Sequence, residues 1–388
     1  MKILFWVSLF ITVYTYIGYG VVIYILLKIR KALNIKRPVF KTIEFPTLTM
    51  ITTAYNEAAI LEEKIRNTIN LKYPDGKLNF IFVSDGSTDG SEDIINKYPQ
   101  VKLVNNWPRK GKMHAINTAM EHVNSEVVVF TDANTFLNEY ALINIARHYA
   151  DPSVGAVAGE KRVESTTGDG TAGEGFYWKY ESTLKKWDSE LYTAVGATGE
   201  LLSMRRELYK PPPADTVLDD FMLSMSVTQK HLRLVYEPDA WATEFGSASV
   251  GEELKRKIRI AAGGIQSILR LTDLLNPFRY PMLSFQYISH RVLRWTITPF
   301  MLIIAFVANF LIVTNQGGVH YMVALVCQLF FYLSAFMGYL LRIKPIKIKL
   351  FFIPYYFCMM NYAVIAGIIR YFSTGQNAMW EKSKRQVG

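Results

Sequence analysis

VVVFTDANTF, residues 127–136, runs four apolar side chains into Thr131 and a lone acid, Asp132, with Asn134 standing where a second acid would fit. A continuous apolar run that ends in polar residues reads as a strand buried on both faces, as in parallel sheets covered by helices. The sequence around it agrees. LTMITTAY (48–55) is a similar run, followed by NEAAILEEKIRNTINL, in which Ile60, Leu61, Ile65 and Ile69 form one helical stripe. FIFVSDGSTDGS (80–91) reads as strand, turn and helix start, VKLV (101–104) as a short strand, and 110–123 as a helix. This alternation predicts an α/β domain over 45–275, its sheet mostly parallel with helices on both faces. Ligands of such sheets gather outside the carboxyl ends of the strands, and here three strands end in polar residues, at 54–57, 85–90 and 131–134.

The 388-residue chain is longer than one core usually holds, and hydropathy shows where the rest goes. Residues 3–27 carry no charge, and at about 1.5 Å rise per residue they exceed a hydrocarbon core of roughly 30 Å. Residues 1–28 therefore read as a transmembrane anchor; a cleavable signal peptide would have a shorter apolar core and a small-residue cleavage site. Two further uncharged runs, 296–314 and 321–341, flank NQGGVH as a membrane hairpin. Lys28, Arg30, Lys31, Lys36, Arg37, Lys41 and the RIKPIKIK stretch (342–349) lie on one side, which predicts a cytoplasmic domain in an integral membrane protein. A fourth run, 350–369, is expected to be re-entrant or interface-lying, since a crossing would leave Arg370, Lys382, Lys384 and Arg385 outside, and Pro354 interrupts its start. The stretch 277–295 mixes aromatics with Arg279, Arg291 and Arg294 and reads as an interface helix, with a linker helix packed on the soluble domain as the alternative, so 276–388 is expected to be interface helix plus C-terminal membrane region. The 43 Lys and Arg exceed the 33 Asp and Glu by ten, but much of the excess adjoins apolar runs, so membrane lipid and not nucleic acid is the expected partner. Cys327 and Cys358 both fall in apolar runs and offer no disulfide framework or metal spacing.

Asp85 ends a strand, placed to accept hydrogen bonds from a base or ribose, whereas Asp89 suits a helix cap as well as a ligand contact. Arg109, Lys110 and Lys112 surround Gly111 just before a helix, where cations oppose the dipole unless an anion such as phosphate sits between; a solvated basic loop is the plainer alternative. Asp132 has the chemistry to hold Mg²⁺ or Mn²⁺ whose other positions are filled by diphosphate and water, with Asn134 supplying a carbonyl oxygen or a water contact. A simple helix cap is the alternative there too.

In the order of these motifs the chain resembles the membrane-bound family-2 glycosyltransferases, which include the cellulose, hyaluronan and poly-N-acetylglucosamine synthases. The resemblance implies a nucleotide-sugar-binding domain of the GT-A type. It places Glu57 of TAYNE near the nucleotide, Asp85 of SDGSTD at the uridine, and Asp132 of TDAN on diphosphate and metal, with Asn134 replacing the family's second aspartate; GKMHAIN resembles the family's GK-x-x-A-x-N helix start, and its Lys112, with Lys110 just before it, is expected at the phosphates. ATGELLSMRREL (197–208) is similar to the segment lining the acceptor site. TVLDDFML (216–223) makes Asp220 the general base; adjacent helical acids point about 100° apart, so only one of Asp219 and Asp220 is expected to face the site. KRKIRIAAGG (255–264) stands where the synthases have Gln-x-x-Arg-Trp, offering Arg256 and Arg259 to the diphosphate but Ile260 in place of the acceptor-flooring tryptophan. WEKSKR (380–385) resembles the family's tail at the cytoplasmic mouth. The implied activity is inverting transfer from a UDP-sugar to a polysaccharide chain, dependent on Mg²⁺ or Mn²⁺. Ile260 favours single-sugar transfer to a lipid-linked acceptor as the alternative, and a non-catalytic nucleotide-binding protein is the third reading, opposed by Asp220 and Arg259.

Overall fold

β1 (Leu48–Ala54), β2 (Leu78–Ser84), β3 (Val101–Asn105) and β4 (Val127–Asp132) run parallel in the order β3-β2-β1-β4 in a computed structural model of the chain. The structure describes residues 1–35, 44–164, 172–246, 249–342 and 348–373; Lys36, Arg37, Lys41, most of RIKPIKIK and the WEKSKR tail lie outside the described residues. Successive strand side chains alternate between two cores, as a doubly covered sheet requires. Ile51 packs with Val83, Met113 and Ile116 on one face, while Leu48 and Met50 pack with Val129 and Leu142 on the other.

Beyond β4 the sheet turns mixed, which refines the mostly parallel expectation. The order continues through β7 (Leu202–Arg205), β6 (Val154–Glu164), β8 (Arg233–Phe245) and β5 (Phe136–Leu137), with β6–β8 parallel and the β4–β7, β7–β6 and β8–β5 pairs antiparallel. The reversal at β7 has a direct consequence. Because Phe130 pairs with Leu202 and Val127 with Arg205, β7 begins beside the carboxyl end of β4, so the turn before it arrives next to Asp132.

Among the described residues, four helices are long and apolar enough to cross a membrane: Lys2–Ala32, Thr298–Asn315, Val319–Leu341 and Lys349–Ser373. The last, expected to be re-entrant or interface-lying, is one uninterrupted helix of 25 residues, long enough to cross. Pro354 lies near its start and removes a single backbone donor without ending the helix. The helix also has a protein partner. Gly367 lets it press on helix Val250–Arg270 so closely that a Cβ would stand 2.6 Å from Ala261 Cβ and 2.9 Å from the Ile258 carbonyl. Phe352, Tyr355, Tyr356 and Met359 pack against Val250 and Leu254 of the same helix.

The stretch expected at the lipid interface forms helix Pro281–Tyr287, which continues through a π turn (Ile288–Val292) to Leu293–Trp295. Two of its arginines differ from expectation by facing protein. Glu181, buried on helix Ala172–Leu191, receives Arg291 at 2.6 Å and Arg294 at 3.1 Å, and His290 Nδ1 lies 2.5 Å from Asp188. A buried carboxylate needs such partners, and satisfying it draws the guanidinium groups away from lipid.

Candidate active site

Asp85 projects from the end of β2 and is nearly fully buried. Its carboxylate accepts from Asn106 Nδ2 (2.8 Å) and from the backbone N–H groups of Lys110 (3.1 Å) and Gly111 (2.9 Å). The acid expected to touch ligand therefore holds the basic loop in place. Gly86 is required beneath that loop: its φ is +68°, and a Cβ there would lie 2.7 Å from Arg109 N. Arg109 in turn stacks its guanidinium 3.7 Å above the Tyr55 ring. Lys110 is exposed and contributes its backbone. Asp89 is resolved as a cap, accepting from Ala58 N (2.9 Å) and Ser91 N (3.1 Å) at the starts of two helices. Glu57, Tyr55, Asp85, Lys112, Asp132 and Asn134 line one recess at the strand ends.

A second, larger cavity of ≈ 220 Å³ shares Lys112 and Asp132 with this recess. Lys112 Nζ donates to Asp132 Oδ1 at 2.7 Å and lies 3.7 Å from Asp219 Oδ2. Gly199, in the turn delivered by β7, leaves the space between them open. A Cβ built there would stand 3.3 Å from Lys112 Nζ, 3.6 Å from Asp220 Oδ2 and 3.8 Å from Asp132 Oδ2. Both Asp219 and Asp220 line the cavity, which corrects the expectation that only one would. They open helix Asp219–Thr228; Asp219 lies within ion-pair distance of Lys112, and Asp220 faces the gap at Gly199.

The charges condition one another. Burial, reinforced by Asp219, pushes the Asp220 carboxyl up to about 7. Burial also raises Asp132, with Lys112 opposing. Burial works against the Lys112 ammonium, but Asp132, Asp219 and Asp220 together hold it well above the usual lysine range. Arg259 and Ile260 are on the cavity wall. Arg256 is there as well, but it is engaged by Glu253 at 3.0 Å and Glu244 at 3.6 Å.

The sequence reading missed several wall residues, among them Lys161, Trp178, Lys185 and Trp295. Trp295 is notable because tryptophan is missing at 260: it reaches the cavity from the 281–295 segment, packing on Phe221 (centroids 5.3 Å) and against Gly264, where a Cβ would meet its ring at 2.6 Å. No local pattern ties position 295 to this site; only the tertiary fold does. Three residues of helix Lys349–Ser373, Met360, Ala363 and Val364, complete the wall.

Among the described residues no cluster of three His, Cys, Asp or Glu side chains is arranged to hold a metal ion. One carboxylate suffices for Mg²⁺ or Mn²⁺ when substrate phosphates and water supply the remaining oxygens. Asp132 meets that requirement, with Oδ1 on Lys112, Oδ2 facing the gap at Gly199, and Asn134 in the same recess. The donor set fits an ion held jointly by protein and diphosphate.

Residues 49–211 match the model of glycosyl transferase family 2. That stretch is thus similar to a family-2 glycosyltransferase domain, and it lies on a GT-A-like mixed sheet. Poly-beta-1,6-N-acetyl-D-glucosamine synthase of Staphylococcus aureus (strain COL) is 26% identical over 273 residues, covering 67% of this chain and 64% of that one. The synthase of the same name from Staphylococcus epidermidis is 23% identical over 233 residues, covering 58% and 56%. The match thus spans under two thirds of these relatives' length. Among solved structures, the mannosyltransferase PcManGT from Pyrobaculum calidifontis, in complex with GDP-Man and Mn²⁺, superposes with a TM-score of 0.72 at 24% identity over 96% of this chain and 100% of that one. It shares the fold.

Proposed function

We propose that the protein is an inverting glycosyltransferase that moves a sugar from a UDP-sugar donor to a growing polysaccharide at the cytoplasmic face of the cell membrane. The observation that carries this is the convergence of Lys112, Asp132 and Asp220 on the space left by Gly199. One side of that point opens to the recess of Glu57, Tyr55 and Asp85, suited to a nucleotide, and the other to the larger cavity, suited to an acceptor. Asp220 takes the proton of the attacking hydroxyl, a task matched by a carboxyl poised near neutrality. Lys112 and Arg259 offset the charge that develops on the departing diphosphate. Asp132 and Asn134 would hold Mg²⁺ or Mn²⁺, which when bound neutralises diphosphate oxygens. The names of the staphylococcal relatives support a polysaccharide product. The Mn²⁺ in the PcManGT complex supports the metal, and its GDP-Man makes the donor's base a point to test. Lys28, Arg30 and Lys31 at the end of the first helix support the cytoplasmic placement.

The membrane-helix wall of Met360, Ala363 and Val364 favours a second reading, single transfer to an acceptor carried by a lipid. Nucleoside diphosphate release should be measured on detergent-purified protein with Mn²⁺ across UDP- and GDP-sugars, followed by sizing of the labelled product. A ladder supports the synthase, a single-sugar lipid supports the second reading, and no release with any donor refutes both.

A further inference from the structure

Lys64 lies on helix Ala58–Ile69, on the face that packs against the sheet, and is 0% exposed. Burying an ammonium group is costly unless its hydrogen bonds are met, and lysine is among the residues least often found fully buried. Nothing in the sequence marks it, since it falls on the helix stripe that Leu61, Ile65 and Thr68 bury. Among the described residues no carboxylate stands within ion-pair distance of it. Its Nζ donates instead to the Thr135 carbonyl at 2.6 Å and to Thr131 Oγ1 at 3.3 Å. Those two threonines bracket Asp132.

The bonds around them close the turn. Thr135 Oγ1 and Thr135 N both donate to the Asp132 carbonyl, at 2.9 and 3.3 Å, so residues 132–135 fold back on themselves. Thr131 Oγ1 lies 2.8 Å from Thr135 Oγ1 and donates to the Glu200 carbonyl at 3.0 Å. Glu200 follows Gly199 in the turn that brings the open space to Asp132. Lys64 thus sits behind the point where β4 ends and the β7 turn begins, on the side opposite Lys112. One lysine holds the backbone of the Asp132 turn from within the protein, and the other meets its carboxylate from the cavity.

We propose that Lys64 is a positioning residue for the nucleotide-sugar site: by fixing Thr131 and Thr135 it sets the direction of the Asp132 carboxylate and the separation of Asp132 from Gly199. This rests on the glycosyl-transfer reading for the role of Asp132, and on the hydrogen bonds alone for the role of Lys64. Outer partners that orient a metal-binding carboxylate are commonly worth about 10- to 100-fold in metal affinity or activity, and that is the loss expected when Lys64 becomes methionine.

The test compares Lys64→Met, Thr131→Val, Asp132→Asn and the Lys64→Met/Asp132→Asn double variant of the full chain in detergent. UDP binding, with GDP in parallel, is measured by calorimetry with and without Mn²⁺, and nucleotide release is followed with the best donor. Lys64→Met should lower the Mn²⁺-dependent part of nucleotide affinity and kcat by about 10- to 100-fold while metal-free nucleotide binding stays within about twofold. Within the Asp132→Asn background it should change nucleotide binding no further, because both substitutions act through one carboxylate. Unchanged Mn²⁺-dependent binding in Lys64→Met overturns the proposal, as does a loss that adds in full to that of Asp132→Asn. If Lys64→Met fails to fold, Thr131→Val decides: it removes the bridge to Glu200, and wild-type metal-linked binding in it overturns the proposal equally. Full turnover in Asp132→Asn would instead sink the functional reading and leave the packing role of Lys64 standing.

Discussion

Replacing Asp220 by asparagine tests the chemistry at its centre. Asp220 has its carboxyl pushed from 3.8 to about 7, first by burial and then by Asp219. As a general base it works only when ionised, so kcat/KM should climb through pH 6 to 8: about a tenth of the plateau at pH 6, half near pH 7 and about nine tenths at pH 8. Asparagine keeps the shape but cannot take the proton, and a positioned base is commonly worth about 10²- to 10⁴-fold. Donor binding should change little, because Asp220 lines the larger cavity, proposed for the acceptor, and is absent from the strand-end recess proposed for the nucleotide. Stability should move the opposite way from activity. A carboxyl whose folded pKa lies above its unfolded one favours the folded state at low pH and loses that contribution as pH rises from about 4 to about 7. At pH 8 the charged, buried Asp220 should therefore cost on the order of 4 kcal/mol that Asp220→Asn avoids. The assay is nucleotide release from pH 5 to 9 beside thermal unfolding at pH 5 and 8. A variant retaining turnover within tenfold of wild type, or a wild-type profile flat down to pH 5, would refute the assignment.

Gly199→Ala should leave the fold intact, since the backbone there is not left-handed and the nearest contacts, 3.3 to 3.8 Å, can be absorbed by small shifts. Its methyl fills the meeting point of Lys112, Asp132 and Asp220, so kcat should fall by at least tenfold, about 1.4 kcal/mol of barrier, and normal turnover would argue that the reacting atoms lie elsewhere. Lys112→Met should move the alkaline shift of Asp220 further upward, because the ammonium opposes it, and the acidic limb of the pH profile reports this directly. Glu181→Gln should destabilise the protein by about 3–5 kcal/mol at pH 7, read as a lowered Tm, since it strands Arg291 and Arg294 in the interior. Although burial opposes it, Arg291 and His290 hold the Glu181 carboxyl well below 4.5, so the network stabilises above that pH and the benefit fades as pH falls through the folded value. Chelation with EDTA should abolish nucleotide release, and added Mn²⁺ should restore it; full activity after chelation would remove the metal from the proposed mechanism.

The amino-acid sequence by itself determined the parallel half of the sheet and the polar ends of its strands, because buried strands, amphipathic helices and turn residues are local patterns with periods of two and 3.6. It also marked the long apolar segments by length and charge, and it placed Asp85 and Asp132 at strand ends and Lys112 and Asp220 at helix starts, where they are found. Other features arise from pairing between distant stretches, which no local period records. The antiparallel insertion of β7 beside β4 set Gly199 against Asp132, and the partners of Glu181 turned Arg291 and Arg294 from lipid toward protein. Trp295 reached the cavity on a helix far from the motif expected to supply a tryptophan. Lys64 stood beside the apolar stripe of Leu61 and Ile65 and was not singled out by the sequence. Only the tertiary structure decided that its ammonium ends against the carbonyl of Thr135, because hydrogen bonds between residues 71 positions apart depend on how the layers stack and not on what stands next in the chain.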